Sequence, residues 1–103
     1  MCRMFAMQDM RRYQPLTRRL RLNGQSTSIR LERAFWQILD EIAREEGMTT
    51  PAFLSRLHHE VLMRNGEAEN FTSLLRCACL TRTEMGAEAA LAARAPDLRR
   101  TSV

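Results

Sequence analysis

Residues 20–47 read "LRLNGQSTSIRLERAFWQILDEIAREEG", and two hydrophobic periods meet inside them with no turn between. Up to Leu31 polar and apolar side chains alternate, as in a strand with one wet face. From Arg33 the period changes. Phe35, Ile38, Leu39 and Ile42 fall at i, i+3, i+4 and i+7, one stripe of a helix, with Asp40, Glu41, Arg44 and Glu45 mostly on the far side. Trp36, one step around from Phe35, widens that stripe and is expected as a core or interface anchor rather than a base-stacking platform. Gly47 suits the position just past the helix end.

The preceding Asn23-Gly24 is a strong hairpin signal, because a type I′ turn requires positive φ at both central residues. With these two as the loop, Leu22 faces Gln25, Leu20 faces Thr27 and Arg18 faces Ile29. Leu20, Leu22, Thr27, Ile29 and Leu31 then share one face, and Arg19, Arg21, Ser26, Ser28 and Arg30 the other. A four-residue loop preserves this sorting. One face is built for burial and the other is basic and wet.

Working outward, "TTP" at 49–51 starts a second helix: Thr49 or Thr50 caps it and Pro51 suits its first turn. Phe53, Leu54, Leu57, Val61 and Leu62 form its apolar face, and "RNG" at 64–66 ends it. A third, shorter helix follows Asn70, with Phe71, Leu74, Leu75 and Ala78 inward. The Ala- and Arg-rich stretch beyond Thr83 reads as a frayed helix over about 86–95 and then a disordered tail. Residues 1–17 have no convincing period, Pro15 interrupts any helix there, and Met4, Met7 and Met10 are alternative starts.

All 16 basic residues are arginine. Residues 1–33 carry a net +6, 34–69 a net −4 and 70–103 a net +2. Arginine offers a planar fork suited to phosphate oxygens and guanine edges, so the clustering favours an anionic partner, nucleic acid first; solvated tails explain the charge as well. No stretch approaches the roughly 18 apolar residues of a membrane span. Three cysteines, an odd number, suit no disulfide framework. Reduced thiols and a cytoplasmic setting follow.

A lone ribbon and two helices with wide apolar stripes pose a burial problem, since the chain offers no further strands. A homodimer solves it, with the ribbon paired to its symmetry mate over interlocked helices. At this point "TSIRLERAFWQILDEIAREEGMTTPAFLSRL", residues 27–57, resembles a ribbon-helix-helix domain, the fold of the Arc and methionine repressors. It looks most like a small, uncharacterised bacterial subfamily whose members also tend to carry the "NG" hairpin and a later helix like "NFTSLLR" at 70–76.

The resemblance implies a mainly α fold with a short β-ribbon, an intertwined homodimer with an extra N-terminal hairpin strand and a third helix. Residues 1–17 are then a flexible lead, 18–82 the domain and 83–103 a tail. The dimer core comprises Ile29, Leu31, Phe35, Trp36, Ile38, Leu39, Ile42, Phe53, Leu54 and Leu57. It also implies double-stranded DNA as partner and a regulatory role, with paired strands in the major groove. Ser28, Arg30 and a possible third, Ser26, meet bases. Thr49, Thr50 and Ala52 at the start of the second helix contact phosphates, and Arg19 and Arg21 either add phosphate contacts or belong to an outer strand that meets no DNA. Two departures bear on this: Pro51 removes one N–H from the phosphate turn, and Ser28 is short for a base reader. The rival reading is an antitoxin-like interaction module whose C-terminal tail binds a protein partner.

Other chemistry fares poorly. His58-His59 and Cys77-x-Cys79 are the soft ligands inside the fold, but adjacent helical histidines point about 100° apart, so no metal site and no cofactor are expected. There is no Gly-rich phosphate loop and no nucleophile-base-acid set, which argues against an enzyme.

Overall fold

Asn23 and Gly24 both take positive φ, 53° and 85°, and turn the chain between two antiparallel strands, β1 (Pro15–Leu22) and β2 (Gln25–Glu32). Leu22 pairs with Gln25, Leu20 with Thr27 and Arg18 with Ile29, the register expected from a two-residue loop. The computed structural model describes the backbone of residues 2–94, and the side chains of these except 87 and 89–94. Before the hairpin come α1 (Cys2–Ala6) and a 3-10 turn at Met10–Tyr13; after it come α2 (Arg33–Glu45), α3 (Thr50–Asn65) and α4 (Phe71–Arg94).

The strand passes into α2 without a loop because the ladder extends one step past it. The N–H of Arg33, which would be unpaired at a helix start, donates to the Gln14 carbonyl at 2.9 Å. At the other end Gly47, φ 70°, follows the last turn, where left-handed backbone costs a side chain most. Thr49 caps α3 by accepting from the Ala52 N–H at 3.3 Å, and Pro51 sits in its first turn.

Leu20, Leu22, Ile29 and Leu31 line the buried face of the hairpin. Trp36, Leu39 and Ala43 of α2, Leu54 of α3, and Leu75 and Cys79 of α4 close over it. Trp36 is an anchor: its ring is buried and its indole N–H donates to the Leu16 carbonyl at 2.8 Å. A single chain therefore solves much of the burial problem that pointed to a dimer. Ile29, Leu31, Trp36, Leu39 and Leu54 are fully covered within it, whereas Phe35, Ile38, Ile42, Phe53 and Leu57 remain half-buried. Part of the cover comes from α4, whose Leu75 and Cys79 are both 0% exposed.

Two boundaries differ from expectation. Strand β1 begins at Pro15 rather than 18, since the first position of an edge strand needs no N–H from proline. Helix α4 is one continuous element of 24 residues, with no break at Thr83. Ala, Glu, Leu and Met favour helix, and Gly86 alone costs only about 1 kcal/mol against alanine, so the frayed helix expected over about 86–95 runs on from the third helix as one element. The disordered tail expected beyond this helix, and much of the segment offered for a protein partner, lie outside the described residues. Among the described residues no helix is long and apolar enough to cross a membrane.

Candidate nucleic-acid interface

Period-2 alternation on a hairpin whose inner face is buried forces the other side chains outward. Arg19, Arg21, Ser26, Ser28 and Arg30 are all exposed, with Thr17 beside them. Cross-strand pairing sets Thr17 opposite Arg30, Arg19 opposite Ser28 and Arg21 opposite Ser26, so each arginine has a small hydroxyl side chain across from it. Arg19 lies diagonal to Arg30 across the ribbon.

Several other arginines are already committed. Arg18 grips Asp40 with both terminal nitrogens, at 2.9 and 3.0 Å. Arg76 holds Glu32 at 3.0 and 3.3 Å, and Arg82 holds Glu45. These pairs neutralise the three guanidinium groups that reach α2 and its N-cap from other elements. By contrast, Arg19, Arg21 and Arg30 form no ion pair with any described residue. Arg21 donates to the Gly24 carbonyl at 3.2 Å. Arg30 acts on Glu32 only as the weakest of the influences that lower its carboxyl, the strongest being the Arg76 hydrogen bond.

The hairpin is fastened at both ends. At its tip the Ser55 hydroxyl donates to the Arg21 carbonyl at 2.8 Å and accepts from the Asn23 N–H at 3.4 Å. The Asn23 amide meets His58 Nδ1 at 2.9 Å, and that imidazole stands edge-on to Phe71 with ring centroids 5.0 Å apart. At its base, Arg33 and Trp36 hold Gln14 and Leu16. The ribbon's attitude is thus set by α2 and α3.

The second expected contact set fares differently. Thr49, Thr50 and Ala52 do come together at the start of α3, and two of their donors are engaged internally. The Ala52 N–H is taken by Thr49, and the Thr50 hydroxyl donates to Asp40 at 2.7 Å. Asp40 also brings negative charge to that turn, and Pro51 supplies no N–H. The turn caps a helix and holds a carboxylate.

The chain of contacts through Arg18, Asp40 and Thr50 is the feature the sequence reading missed. Asp40 was expected on a solvated face, yet its side chain is one-third exposed and its pKa lies below the ordinary value, chiefly through the Arg18 hydrogen bond. The signal was present in the register: Arg18 faces Ile29, which puts a guanidinium on the apolar side, where it needs an acid. Among the soft ligands, Cys79 is buried and Cys77 exposed, and His58 is bound to Asn23. No group of three or more metal-ligating side chains occurs among the described residues.

Comparison with known proteins agrees with this layout. The family model for a ribbon-helix-helix domain matches residues 15–83, from the start of β1 into α4. Among solved structures the chain is similar to an uncharacterized protein from Bordetella pertussis Tohama I. The two are 43% identical with a TM-score of 0.82, over 85% of this chain and 70% of that one. No curated protein matches. With a basic strand pair leading directly into two helices across that matched span, the chain belongs to the ribbon-helix-helix family.

Proposed function

We propose that this protein is a cytoplasmic, homodimeric transcriptional regulator that binds duplex DNA through the outer face of its hairpin. The observation that carries the reading is the division among its arginines. Arg18, Arg76 and Arg82 are each neutralised by a carboxylate, whereas Arg19, Arg21 and Arg30 share an exposed face with no acid partner among the described residues. An unpaired guanidinium is weakly hydrated and presents a donor fork that fits phosphate oxygens or the O6 and N7 of guanine. Arg30, with Ser28 and Ser26 beside it, is assigned to base edges. Arg19 and Arg21 add charge to the same face, and Thr49, Thr50 and Ala52 have no part.

The regulatory role follows from membership of a family that generally serves DNA-binding regulators and antitoxins. Dimerisation is assigned to the half-buried Phe35, Ile38, Ile42, Phe53 and Leu57. A second copy would complete their burial, and light scattering at low micromolar concentration reads it directly. The DNA assignment is tested by fluorescence anisotropy with a labelled duplex at about 50 mM salt, where counterion release makes arginine-phosphate binding strongest. Saturable binding that weakens steeply with added salt is expected. A flat titration would remove DNA as the partner.

A further inference from the structure

Two further exposed arginines lie off the ribbon, at its base. There the 3-10 turn Met10–Tyr13 packs against α2 and forms with it a cleft of about 280 Å³, lined by Asp9, Arg11, Arg12, Arg33 and Gln37. An anion fits this space with several waters, each of which takes about 30 Å³.

The charge of the cleft reduces to two cations. Asp9 accepts from the Arg11 N–H at 3.0 Å and from the Arg11 guanidinium at 3.3 and 3.1 Å, so these two cancel. The Arg12 guanidinium donates only to the neutral side-chain oxygen of Gln8, at 3.1 Å. The Arg33 guanidinium has no ion pair with any described residue. Because the Arg33 N–H is taken by the Gln14 carbonyl, the site consists of side chains and not of the helix end. Gln37, four residues after Arg33, shares its helix face and adds an amide donor.

Position and magnitude select the ligand. The outer row of β1, Arg21, Arg19, Thr17 and Pro15, is exposed throughout and leads into this turn. Arg33 follows Arg30 by three residues, so their Cα atoms lie within about 11 Å, a length over which one DNA strand carries about three phosphates. All five lining residues are exposed, and an exposed ion pair with a small free anion is weak. A phosphate on a duplex already held by the ribbon arrives at high effective concentration, and its contact releases a further counterion.

We propose that Arg12 and Arg33, with the Gln37 amide, clamp a backbone phosphate of the duplex in this cleft, beyond the bases that the ribbon meets. This rests on the DNA-binding reading above. It brings the segment expected from the sequence as a flexible lead into the interface.

The test is fluorescence anisotropy of the full-length protein on a labelled duplex across a salt series. Wild type is compared with Arg33→Ala, an Arg12→Ala, Arg33→Ala double variant and Arg64→Ala. Arg64, exposed near the end of α3, controls for net charge. Circular dichroism confirms that each variant is folded. The slope of log affinity against log salt is expected to fall by about 0.9 per chain in Arg33→Ala and about 1.8 in the double variant, and to stay unchanged in Arg64→Ala. The loss should be uniform across duplex sequences, as for a phosphate contact. An unchanged slope in the double variant, or an equal fall in Arg64→Ala, overturns the clamp and leaves DNA binding in place. Saturable binding of inorganic phosphate at constant ionic strength, read from the Arg33 guanidinium by NMR, with no change in the duplex slope assigns the cleft to a free anion and overturns it too. Absence of any wild-type binding to the duplex overturns the underlying function instead.

Discussion

The guanidinium of Arg18 lies over the ring of Trp36, 4.4 Å from its centroid, while its nitrogens grip Asp40. A cation from the first strand is thereby sandwiched between an aromatic ring and a carboxylate of α2. Stacking and a bidentate pair both exploit the planar fork, and lysine can reproduce neither.

Substitution should expose this geometry. Arg18→Lys and Asp40→Asn are each expected to lower stability by about 1 to 2 kcal/mol, more than an exposed ion pair supplies, because the pair is half-buried and shared with Thr50. In a double-mutant cycle by urea denaturation, the two effects should fall well short of adding. Strict additivity would mean that the pair is not coupled.

Acid should weaken the same contact. The hydrogen bond from Arg18 holds the Asp40 carboxyl below its ordinary value of 3.8, against an opposing effect of burial. A carboxyl depressed in the folded state stabilises the fold above its unfolded pKa, and that contribution is lost as pH falls through the folded one. Glu32, lowered by Arg76, acts in the same direction. The stability gap between wild type and Asp40→Asn is therefore largest at neutral pH and closes below about pH 4. Urea midpoints at pH 7, 5 and 3 measure it, and a constant gap would contradict the assignment.

Helix α4 is integral to the core. Leu75 is 0% exposed, so Leu75→Ala should cost about 2 to 4 kcal/mol through lost burial and the cavity left behind. A change below about 0.5 kcal/mol, the range of surface substitutions, would show that the helix is not packed there in solution.

The two thiols of α4 should differ sharply. Burial pushes Cys79 up to about 11 and shields it, whereas Cys77 is exposed. A disulfide reagent at pH 8 should label Cys77 rapidly and Cys79 only on unfolding, since the thiolate is the nucleophile. Equal labelling rates in the native protein would be inconsistent with the packing of α4.

Much of this architecture is legible in the residues themselves. Asn23-Gly24 and strict alternation determine the hairpin and its register, and the outward placement of Arg19, Arg21 and Arg30 follows by counting. The rest depends on relations that local patterns do not encode. Arg18 and Asp40 are separated by 22 positions and Arg76 and Glu32 by 44, so each pairing depends on how the helices turn against the ribbon. The length of α4 escaped for another reason. Its Ala- and Arg-rich composition is shared by disordered tails and stable helices, and the anchoring supplied by Leu75 and Cys79 is tertiary.

The central claim is that the exposed arginines of the hairpin's outer face bind DNA, and a salt titration of wild type against the Arg19→Ala, Arg21→Ala, Arg30→Ala triple variant measures it most directly. Each lost phosphate contact should reduce the slope of log affinity against log salt by about 0.9, so by up to about 1.8 per hairpin from Arg19 and Arg21, with Arg30 assigned to base edges. The account predicts a shallower slope and at least about a tenfold loss of affinity at about 50 mM salt, with the fold intact. Unchanged affinity and slope in the folded triple variant would contradict it.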